Sequence, residues 1–287
     1  MQKILVTTQE LADRLGDPGW VVFDARHDLA DPGKGRKAYQ AGHIPGAFFL
    51  HLDDDLAGPK TGKNGRHPLP GLPAFAAKIE ERGVGPDTRV VVYDDSSGSY
   101  AVRLWWMLRW LGHERVALLD GGFPLWIQEG RPVSSQAPPS RKGAFAARPR
   151  LGATVDAHFV ERFRQDHAQK LIDARAPERY NGLIEPLDPV AGHVPGAANR
   201  FWKQNLSPDG RFKPAESLRA EFLGLLGAAD PAKVVHMCGS GVTACHNLFA
   251  MELAGLPGGR LYPGSWSEWC ADPSRPVAGP RAAEAKT

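Results

Sequence analysis

Only three cysteines occur among the 287 residues, and Cys238, Cys245 and Cys270 all fall in the last fifth of the chain. An odd, clustered set cannot build a disulfide framework, which indicates a reducing, cytoplasmic setting. Long apolar runs are also missing, since the most apolar stretch, 104–111, is interrupted by Arg109. A bilayer span needs roughly 20 such residues. Because the N-terminal apolar segment is also too short for a secretory signal, we expect no membrane association.

Neither sign of charge is in large excess. Lys+Arg 35 against Asp+Glu 32 gives a net charge of +3, which disfavours a dedicated nucleic-acid binder. Glycine and proline are plentiful, at 32 and 25 residues, but follow no strict period, so the chain has many turns and is not collagen-like. With 42% hydrophobic and 23% charged residues, the composition is typical of a globular protein. The length favours two domains.

Several sequence blocks occur twice, in the same order. The first-copy blocks are Val21–Arg26, Gly42–Ala47, Arg89–Tyr93 and Arg131–Val133, and their counterparts are Lys170–Arg175, Gly192–Ala197, Lys233–Met237 and Arg275–Val277. A solenoid repeats about every 20–50 residues, so a period this long indicates a duplicated domain. We therefore predict domains at 1–135 and 150–287, joined by a linker at 136–149 that is rich in proline and polar residues.

Within each copy, short β-branched runs alternate with helical patterns. Tyr100–Gly112 and its partner Thr243–Gly255 both read as helices closed by glycine. Alternation of this kind predicts an α/β fold in which each domain is a parallel sheet flanked by helices.

The duplication also provides an internal control. Features shared by both copies are expected to serve the fold, whereas features confined to one copy are free to carry chemistry. His43 and His193 recur, so we expect each ring to donate to backbone near a turn. The Asp-Ala-Arg triplets at 24–26 and 173–175 are expected to form structural ion pairs.

The two copies differ most after the central strand. The second copy reads Cys-Gly-Ser-Gly-Val-Thr at 238–243, and aligning Gly241 with Gly98 places Cys238 opposite Asp95. A strand, a Gly/Ser-rich turn and a helix direct backbone N–H groups and the positive helix end into one loop. Such a cradle favours the thiolate, which is the nucleophilic form of cysteine.

Other interpretations of Cys238 are weaker. Zinc binding with Cys245 and His246 lacks the usual paired spacing, and a cysteine phosphatase needs an arginine where Ala244 stands. Simple packing of a small buried residue stays open. A redox sensor would require Cys238 and Cys245 to be accessible and close, and a pure interaction module would not need Cys238. Cys245 and Cys270 are expected to be packing or surface residues.

Together these motifs resemble the tandem-domain rhodanese family of sulfurtransferases, most closely its 3-mercaptopyruvate-using members. The resemblance covers nearly the whole chain, including Asp120–Gly122 and Gly264–Trp269. It implies two rhodanese-like domains, with 1–135 non-catalytic because Asp95 replaces the cysteine and 150–287 catalytic. It further implies transfer of sulfur from 3-mercaptopyruvate, or alternatively thiosulfate, through a Cys238 persulfide. The acceptor would be cyanide or a thiol, including that of a thioredoxin-like protein, with no metal or organic cofactor.

The resemblance also implies roles for individual residues. The catalytic set would be Cys238, Ser240 and Asp53, and the substrate-binding set would be Arg179, His67, Gly239, Gly241, Val242 and Thr243. Arg179 would hold the donor carboxylate. The uncharged loop matches mercaptopyruvate users, whereas thiosulfate users typically carry basic residues there.

Each partner residue also has a plainer explanation. Asp53 could belong to a solvated acidic turn, Arg179 to a surface ion pair and Ser240 to a helix cap. His67 could be a surface residue of a Gly/Pro-rich loop. One departure from the family concerns 184–189, where a second carboxylate-binding arginine is expected and none is present. Arg200 is the candidate to replace it.

Overall fold

The computed structural model describes residues 3–164, 166 and 169–279. It divides into two compact units. The first contains the described residues of 1–58, 69–150 and 208–212, and the second contains those of 59–68, 151–207 and 213–287. The predicted domain bounds, which are contiguous, remain a prediction.

A five-stranded parallel sheet organises the first unit. Its strands are β1 (Leu5–Val6), β2 (Trp20–Asp24), β3 (Phe48–Phe49), β4 (Arg89–Tyr93) and β5 (Val116–Leu119), in the spatial order β1-β5-β4-β2-β3. Its helices are α1 (Thr8–Ala12), α2 (Lys34–Ala41), α3 (Leu72–Glu80), α4 (Ala101–Trp110) and α5 (Gly122–Gln128).

The second unit repeats this arrangement. Its strands are β6 (Lys170–Asp173), β7 (Ala198–Asn199), β8 (Val234–Met237) and β9 (Arg260–Leu261), all parallel and in the order β7-β6-β8-β9. Its helices are α6 (Ala157–Phe163), α7 (Pro177–Tyr180), α8 (Ala215–Leu226), α9 (Ala244–Leu253) and α10 (Ser265–Trp269), with 3₁₀ turns at Trp202–Asn205 and Pro231–Lys233. An isolated bridge between Thr154 and Leu261 occupies the position that β1 has in the first unit.

The predicted α/β class is therefore confirmed for each unit. The central strands are buried on both faces, which explains why β4 and β8 read as runs of apolar residues rather than as alternating ones. The predicted helices at 100–112 and 243–255 correspond to α4 and α9. Among the described residues, no helix combines the length and the apolar character that crossing a membrane requires.

Equivalent side chains build the two cores. Val22, Ile44, Val91 and Trp126 in the first core correspond to Leu171, Val194, Val235 and Trp269 in the second. Both tryptophans are fully buried, and each donates its indole N–H to a proline carbonyl, 2.8 Å and 2.9 Å away. Truncating either to alanine would cost about 3–5 kcal/mol. Core packing thus accounts for the recurring tryptophans.

The residues shared by both copies serve the fold, as predicted. Nδ1 of His43 lies 2.7 Å from the Tyr39 carbonyl, and Nδ1 of His193 lies 2.8 Å from the Tyr180 carbonyl. Each imidazole also stacks on the ring of that tyrosine. The Asp24–Arg26 and Asp173–Arg175 pairs are buried, with N–O distances of 2.6 Å and 2.7 Å. Each arginine also donates to a glycine carbonyl of the Gly-His block.

Candidate functional site

Cys238 stands directly after β8, at the carboxyl end of the second sheet, with α9 beginning six residues later. Its Sγ atom accepts hydrogen bonds from the backbone N–H groups of Ser240 and Gly241, at 3.4 Å and 3.1 Å. Only 2% of the residue is exposed. The sulfur is therefore held in a cradle of amides rather than in a purely apolar pocket, as the Gly/Ser-rich sequence predicts.

The cradle depends on one glycine and on hydrogen bonds to its base. Gly241 has φ +75°, and a Cβ atom there would come within 2.4 Å of the Pro263 carbonyl oxygen. No other residue fits that position without moving backbone. The N–H of Cys238 donates to Ser265 Oγ at 3.1 Å, and its carbonyl accepts from the Trp266 N–H at 3.0 Å. These contacts fix where the sulfur points.

The corresponding loop of the first unit corrects the predicted alignment. The Ala25 N–H donates to the Tyr93 carbonyl just as the Ala174 N–H donates to the Met237 carbonyl. The residue that follows Tyr93 is Asp94, so Asp94 rather than Asp95 is the counterpart of Cys238. The loop of the first unit, 94–100, is one residue longer than the loop 238–243. The extra residue lies between Asp94 and Gly98, so an alignment on Gly98 and Gly241 places Asp95 opposite Cys238.

Asp94 shows what such a loop holds. Its carboxylate accepts hydrogen bonds from four loop amides, those of Ser96, Gly98, Tyr100 and Ala101, at 2.8–2.9 Å. Burial raises the pKa of Asp94, and the four amides oppose that effect. The same strand–loop–helix architecture thus surrounds an acidic oxygen in one unit and a cysteine sulfur in the other. Both loops are built to hold a negatively charged atom.

Ser240 and His67 are in direct contact. The Ser240 hydroxyl oxygen lies 2.7 Å from Nδ1 of His67, and both residues are buried. His67 comes from the segment 59–68, which packs with the second unit. The structure thus brings together three of the predicted residues, with the serine amide on the sulfur and the serine hydroxyl on the imidazole.

Two arginines lie beside Gly239, the residue after the cysteine. A Cβ atom at Gly239 would lie 2.8 Å from Nη2 of Arg66 and 3.4 Å from Nη1 of Arg179. Arg179 was predicted from the sequence, whereas Arg66 was not. Its only signal was its place immediately before His67 in the chain.

Both guanidinium groups are paired with acidic side chains. Arg179 donates to Glu185, with Nη2–Oε1 at 2.6 Å, and to Asp188 at 3.2 Å. Arg66 also donates to Asp188, whose pKa is raised by burial although the arginine opposes this. The acidic stretch 184–189, which lacks the expected arginine, thus supplies the partners of two arginines.

Arg200 does not replace the missing arginine. Its Nη2 donates to Glu221 at 2.7 Å and to Asn205 at 3.1 Å, and its guanidinium covers the Phe222 ring at 4.5 Å. Glu221 and Phe222 belong to α8, and Asn205 belongs to the 3₁₀ turn at Trp202–Asn205. Arg200, which the sequence leaves as an open candidate, is thus bound to Glu221 and Asn205, and the arginines beside Gly239 are Arg66 and Arg179 instead.

The remaining predicted residues fall in two places. Val242 is buried, and Thr243 precedes α9 as its N-cap residue without a side-chain capping bond. Asp53 lies in the first unit, where its Oδ2 is 3.9 Å from Nε2 of His27. Among the described residues, the group of side chains suited to hold a metal ion is His27, His51 and Asp53.

The other two cysteines are packing residues. Cys245 is fully buried within α9, and its thiol donates to the Gly241 carbonyl at 3.4 Å. Burial raises the pKa of the Cys270 thiol to about 11, and the nearby Asp188 charge adds to this effect. The sensor hypothesis, which requires an accessible Cys245, is therefore wrong. Cys270 stays protonated and unreactive near neutral pH.

Comparison with known proteins matches this geometry. The model of the rhodanese-like domain matches twice, at residues 7–129 and 156–272. A Pseudomonas aeruginosa protein named "Probable 3-mercaptopyruvate sulfurtransferase" is 47% identical over 276 residues, covering 96% of this chain and 97% of its own. The thiosulfate sulfurtransferase of Mus musculus is 36% identical over 282 residues, covering 94% and 92%. The crystal structure of the 3-mercaptopyruvate sulfotransferase SseA from Escherichia coli superposes with a TM-score of 0.79 at 33% identity, covering 92% of this chain and 99% of that one.

Proposed function

This chain belongs to the rhodanese family, and on that premise we propose that it is a sulfurtransferase that takes sulfur from 3-mercaptopyruvate onto Cys238. The sulfur then passes to cyanide or to a thiol acceptor. Similar proteins named as sulfurtransferases support the reaction class. The observation that carries the assignment to Cys238 is the pair of amide hydrogen bonds on its sulfur.

In the first half-reaction, the Cys238 thiolate attacks the sulfur of the donor. A sulfur–sulfur bond forms and the donor's carbon–sulfur bond breaks, with its electron pair moving into the enolate of pyruvate. The donor thiol loses one proton and the enolate carbon gains one, so the products are pyruvate and a cysteine persulfide. In the second half-reaction, the acceptor attacks the outer sulfur and releases the thiolate.

The amide cradle stabilises negative charge on sulfur throughout this cycle. Donors fixed in advance do not need to reorganise when charge appears, which is the main source of electrostatic catalysis. The four amides on Asp94 in the equivalent loop support this function for the loop backbone. The near-complete burial of Cys238 also shields the persulfide from water.

Ser240 is proposed to deliver the proton to the enolate. Ser240 is two residues after Cys238 in the chain. Its hydroxyl is hydrogen-bonded to His67, which can supply the proton that the serine passes on. Asp53 stays in the proposed catalytic set on the strength of the family resemblance. No metal or organic cofactor is needed, because cysteine sulfur is itself the carrier.

The donor is proposed from the charges around Gly239. Arg66 and Arg179 offer the two-pronged hydrogen bonding that a carboxylate accepts. Three arginines there face three carboxylates: Arg66, Arg175 and Arg179 with Asp173, Glu185 and Asp188. Such a balanced cluster attracts a compact dianion weakly, but it can exchange one carboxylate for another. This favours a keto acid over thiosulfate, with Gly239, Gly241, Val242 and Thr243 lining the remainder of the donor.

Thiosulfate is the second candidate donor, because the mouse relative is named as a thiosulfate sulfurtransferase. Among thiol acceptors, we propose a thioredoxin-like protein, because its reactive thiol can attack the outer sulfur of the persulfide. We propose a reducing, cytoplasmic setting, since three free and buried cysteines fit that environment.

Mass spectrometry of the intact protein tests the proposal. Incubation with 3-mercaptopyruvate should add the mass of one sulfur atom, and cyanide should remove it as thiocyanate. Cys238→Ser should gain no sulfur, whereas the control Cys270→Ser should behave as the parent does. Sulfur retained by Cys238→Ser would overturn the site, and a higher kcat/KM for thiosulfate than for 3-mercaptopyruvate would overturn the donor.

A further inference from the structure

The Asp188 carboxylate lies between two arginines of the candidate site. One of its oxygens accepts a hydrogen bond from Nη1 of Arg66, and the other accepts from Nη2 of Arg179 at 3.2 Å. The same two guanidinium groups stand next to the residue that follows the cysteine, because a Cβ atom at Gly239 would approach both. A single carboxylate thus bridges the pair of arginines that is proposed to hold the carboxylate of the donor.

We propose that Asp188 is an internal competitor for the donor: its carboxylate occupies Arg66 and Arg179 in the free enzyme, and the carboxylate of the donor binds by displacing it. This inference rests on the proposed function, because it takes these two arginines to be the binding site of the donor carboxylate. It adds a residue that sets the affinity and the selectivity of that site without a part in the chemistry at sulfur.

The segment that carries Asp188 is confined to the second copy of the domain. Tyr39 and Tyr180 are equivalent, since each stacks on the histidine of the Gly-His block that follows it. Between that tyrosine and that block lie two residues, 40–41, in the first copy, but eleven residues, 181–191, in the second. The fold therefore does not require this insertion. A feature that only one copy has is the kind that is free to serve the site.

The two buried carboxylates of the insertion are held differently. Glu185 accepts hydrogen bonds of 2.6–3.3 Å from two arginines and from two amides of its own loop, namely Arg175, Arg179 and the N–H groups of Leu187 and Asp188. Asp188 instead meets the tips of two guanidinium groups, one on each oxygen. A side-chain rotation releases Asp188, whereas release of Glu185 also breaks the turn of the loop. Glu185 is thus the fixed support of Arg179, and Asp188 is the carboxylate that can be exchanged.

Burial makes the bridging carboxylate easier to displace. The Asp188 side chain is 3% exposed, and burial raises its pKa although Arg66 lowers it. The ionised form is therefore less stable in the cluster than in water. A carboxylate that rotates out to solvent regains hydration, which offsets part of the ion pairing that it loses. Because the donor then replaces one carboxylate by another, the arginines stay paired at the end of the exchange.

The exchange also favours one class of donor. While Asp188 is ionised, the three arginines of the cluster face three carboxylates and no net charge remains. Removing the charge of Asp188 leaves one positive charge uncompensated. Coulombic attraction scales with the product of the charges, so a dianion such as thiosulfate gains about twice as much from that charge as a keto acid with one carboxylate does. Asp188 therefore selects for 3-mercaptopyruvate.

Calorimetry with pyruvate tests the competition, since pyruvate has the carboxylate of the donor but no sulfur to transfer. The reference protein is Cys238→Ser, which cannot form a persulfide, so the result does not depend on sulfur transfer. Adding Asp188→Asn or Asp188→Ala should tighten pyruvate binding about tenfold, because both arginines are then open. Glu185→Gln is the matched control, since it removes one negative charge from the same cluster. It should weaken pyruvate binding, because Arg179 loses its fixed support.

Three outcomes would overturn the competition. Unchanged or weaker pyruvate binding in both Asp188 variants would show that Asp188 orients the arginines for the donor. Equal tightening in Glu185→Gln would reduce the effect to net charge. Absence of pyruvate binding in every protein would remove the site itself. The gain of one sulfur atom by the parent protein, which tests the proposed function, is measured separately by mass, so failure of the competition and failure of the proposed function are distinguishable.

Steady-state kinetics tests the selectivity in the protein that retains Cys238. Asp188→Asn should raise the ratio of kcat/KM for thiosulfate to kcat/KM for 3-mercaptopyruvate about threefold or more, because the dianion gains more from the uncompensated charge. Asp188→Glu keeps the charge and should keep the ratio of the parent. A ratio that is the same in Asp188→Asn and in the parent would overturn the selectivity assigned to Asp188.

Discussion

The Ser240 hydroxyl lies 2.7 Å from Nδ1 of His67, although 173 residues separate the two in the chain. The backbone N–H of the same serine donates to Cys238 Sγ. One residue therefore touches the nucleophile through its main chain and a titratable ring through its side chain. Removing the hydroxyl can test proton delivery without removing the cradle.

Ser240→Ala is expected to lower kcat with 3-mercaptopyruvate by about 10²–10⁴-fold, which is the usual contribution of a positioned proton donor. The amide on Cys238 remains, so persulfide formation should slow rather than vanish. His67→Gln should lower kcat less than Ser240→Ala does, because His67 acts through the Ser240 hydroxyl. The exposed Ser274→Ala serves as control for steady-state kinetics, and an unchanged kcat in Ser240→Ala would contradict the assignment.

Arg66→Gln and Arg179→Gln should each raise the KM for 3-mercaptopyruvate by about 10–100-fold, since a hydrogen bond to a charged group contributes about 1.5–3 kcal/mol. Chemistry at sulfur is unaffected, so kcat should change much less. Arg211→Gln removes an exposed arginine paired with Asp120 in the first unit and provides the matched control. If Arg66→Gln and Arg179→Gln had the same KM as the control Arg211→Gln, these two arginines would not hold the donor.

His236 in β8 should make the second unit sensitive to acid. Burial lowers the pKa of His236 from 6.5 to about 3, and neither ring nitrogen has a hydrogen-bond partner among the described residues. The unfolded chain takes up a proton below pH 6.5 that the folded chain refuses. Above pH 6.5 neither state binds this proton, so His236 does not lower the free energy of unfolding there. Below pH 6.5 the free energy of unfolding falls by up to about 1.4 kcal/mol per pH unit, as the pH drops towards the pKa of the folded state.

His236→Val should remove that dependence. Valine is the counterpart at position 92 in β4, so the equivalent strand already accommodates it. Thermal unfolding followed from pH 7 to pH 4 should give a smaller drop in Tm for the variant than for the parent. The control is His158→Gln, which removes an exposed histidine of the second unit. Parallel curves of Tm against pH for the parent and for His236→Val would refute the burial argument.

Much of the fold was predictable because its signals are local. The Asp-Ala-Arg and Gly-His blocks recur as intact short motifs, and each marks a strand end or turn that both units need. Apolar periodicity and a closing glycine predict the helices α4 and α9. Cys238 was found by the same means, since a Gly/Ser-rich turn between a strand and a helix is visible in the sequence.

The misjudged features depend on contacts that are distant in sequence. Arg66 reaches Gly239 only because the segment 59–68 packs with the second unit, and nothing near it in the chain indicates this. The ion pair of Arg200 with Glu221 likewise joins residues that are 21 positions apart. The placement of Asp95 failed for a different reason, because a one-residue insertion in a loop is invisible until strand hydrogen bonds fix the register.

The Asp94 carboxylate fills the loop of the first unit that corresponds to the Cys238 loop. Its carboxylate satisfies four amides permanently, so the first loop has no vacancy for a transferable atom. A thiol at that position would leave those donors short of partners, in a loop that is one residue longer than that of the second unit. The single substitution Asp94→Cys is therefore not expected to give the first unit a second amide cradle for sulfur.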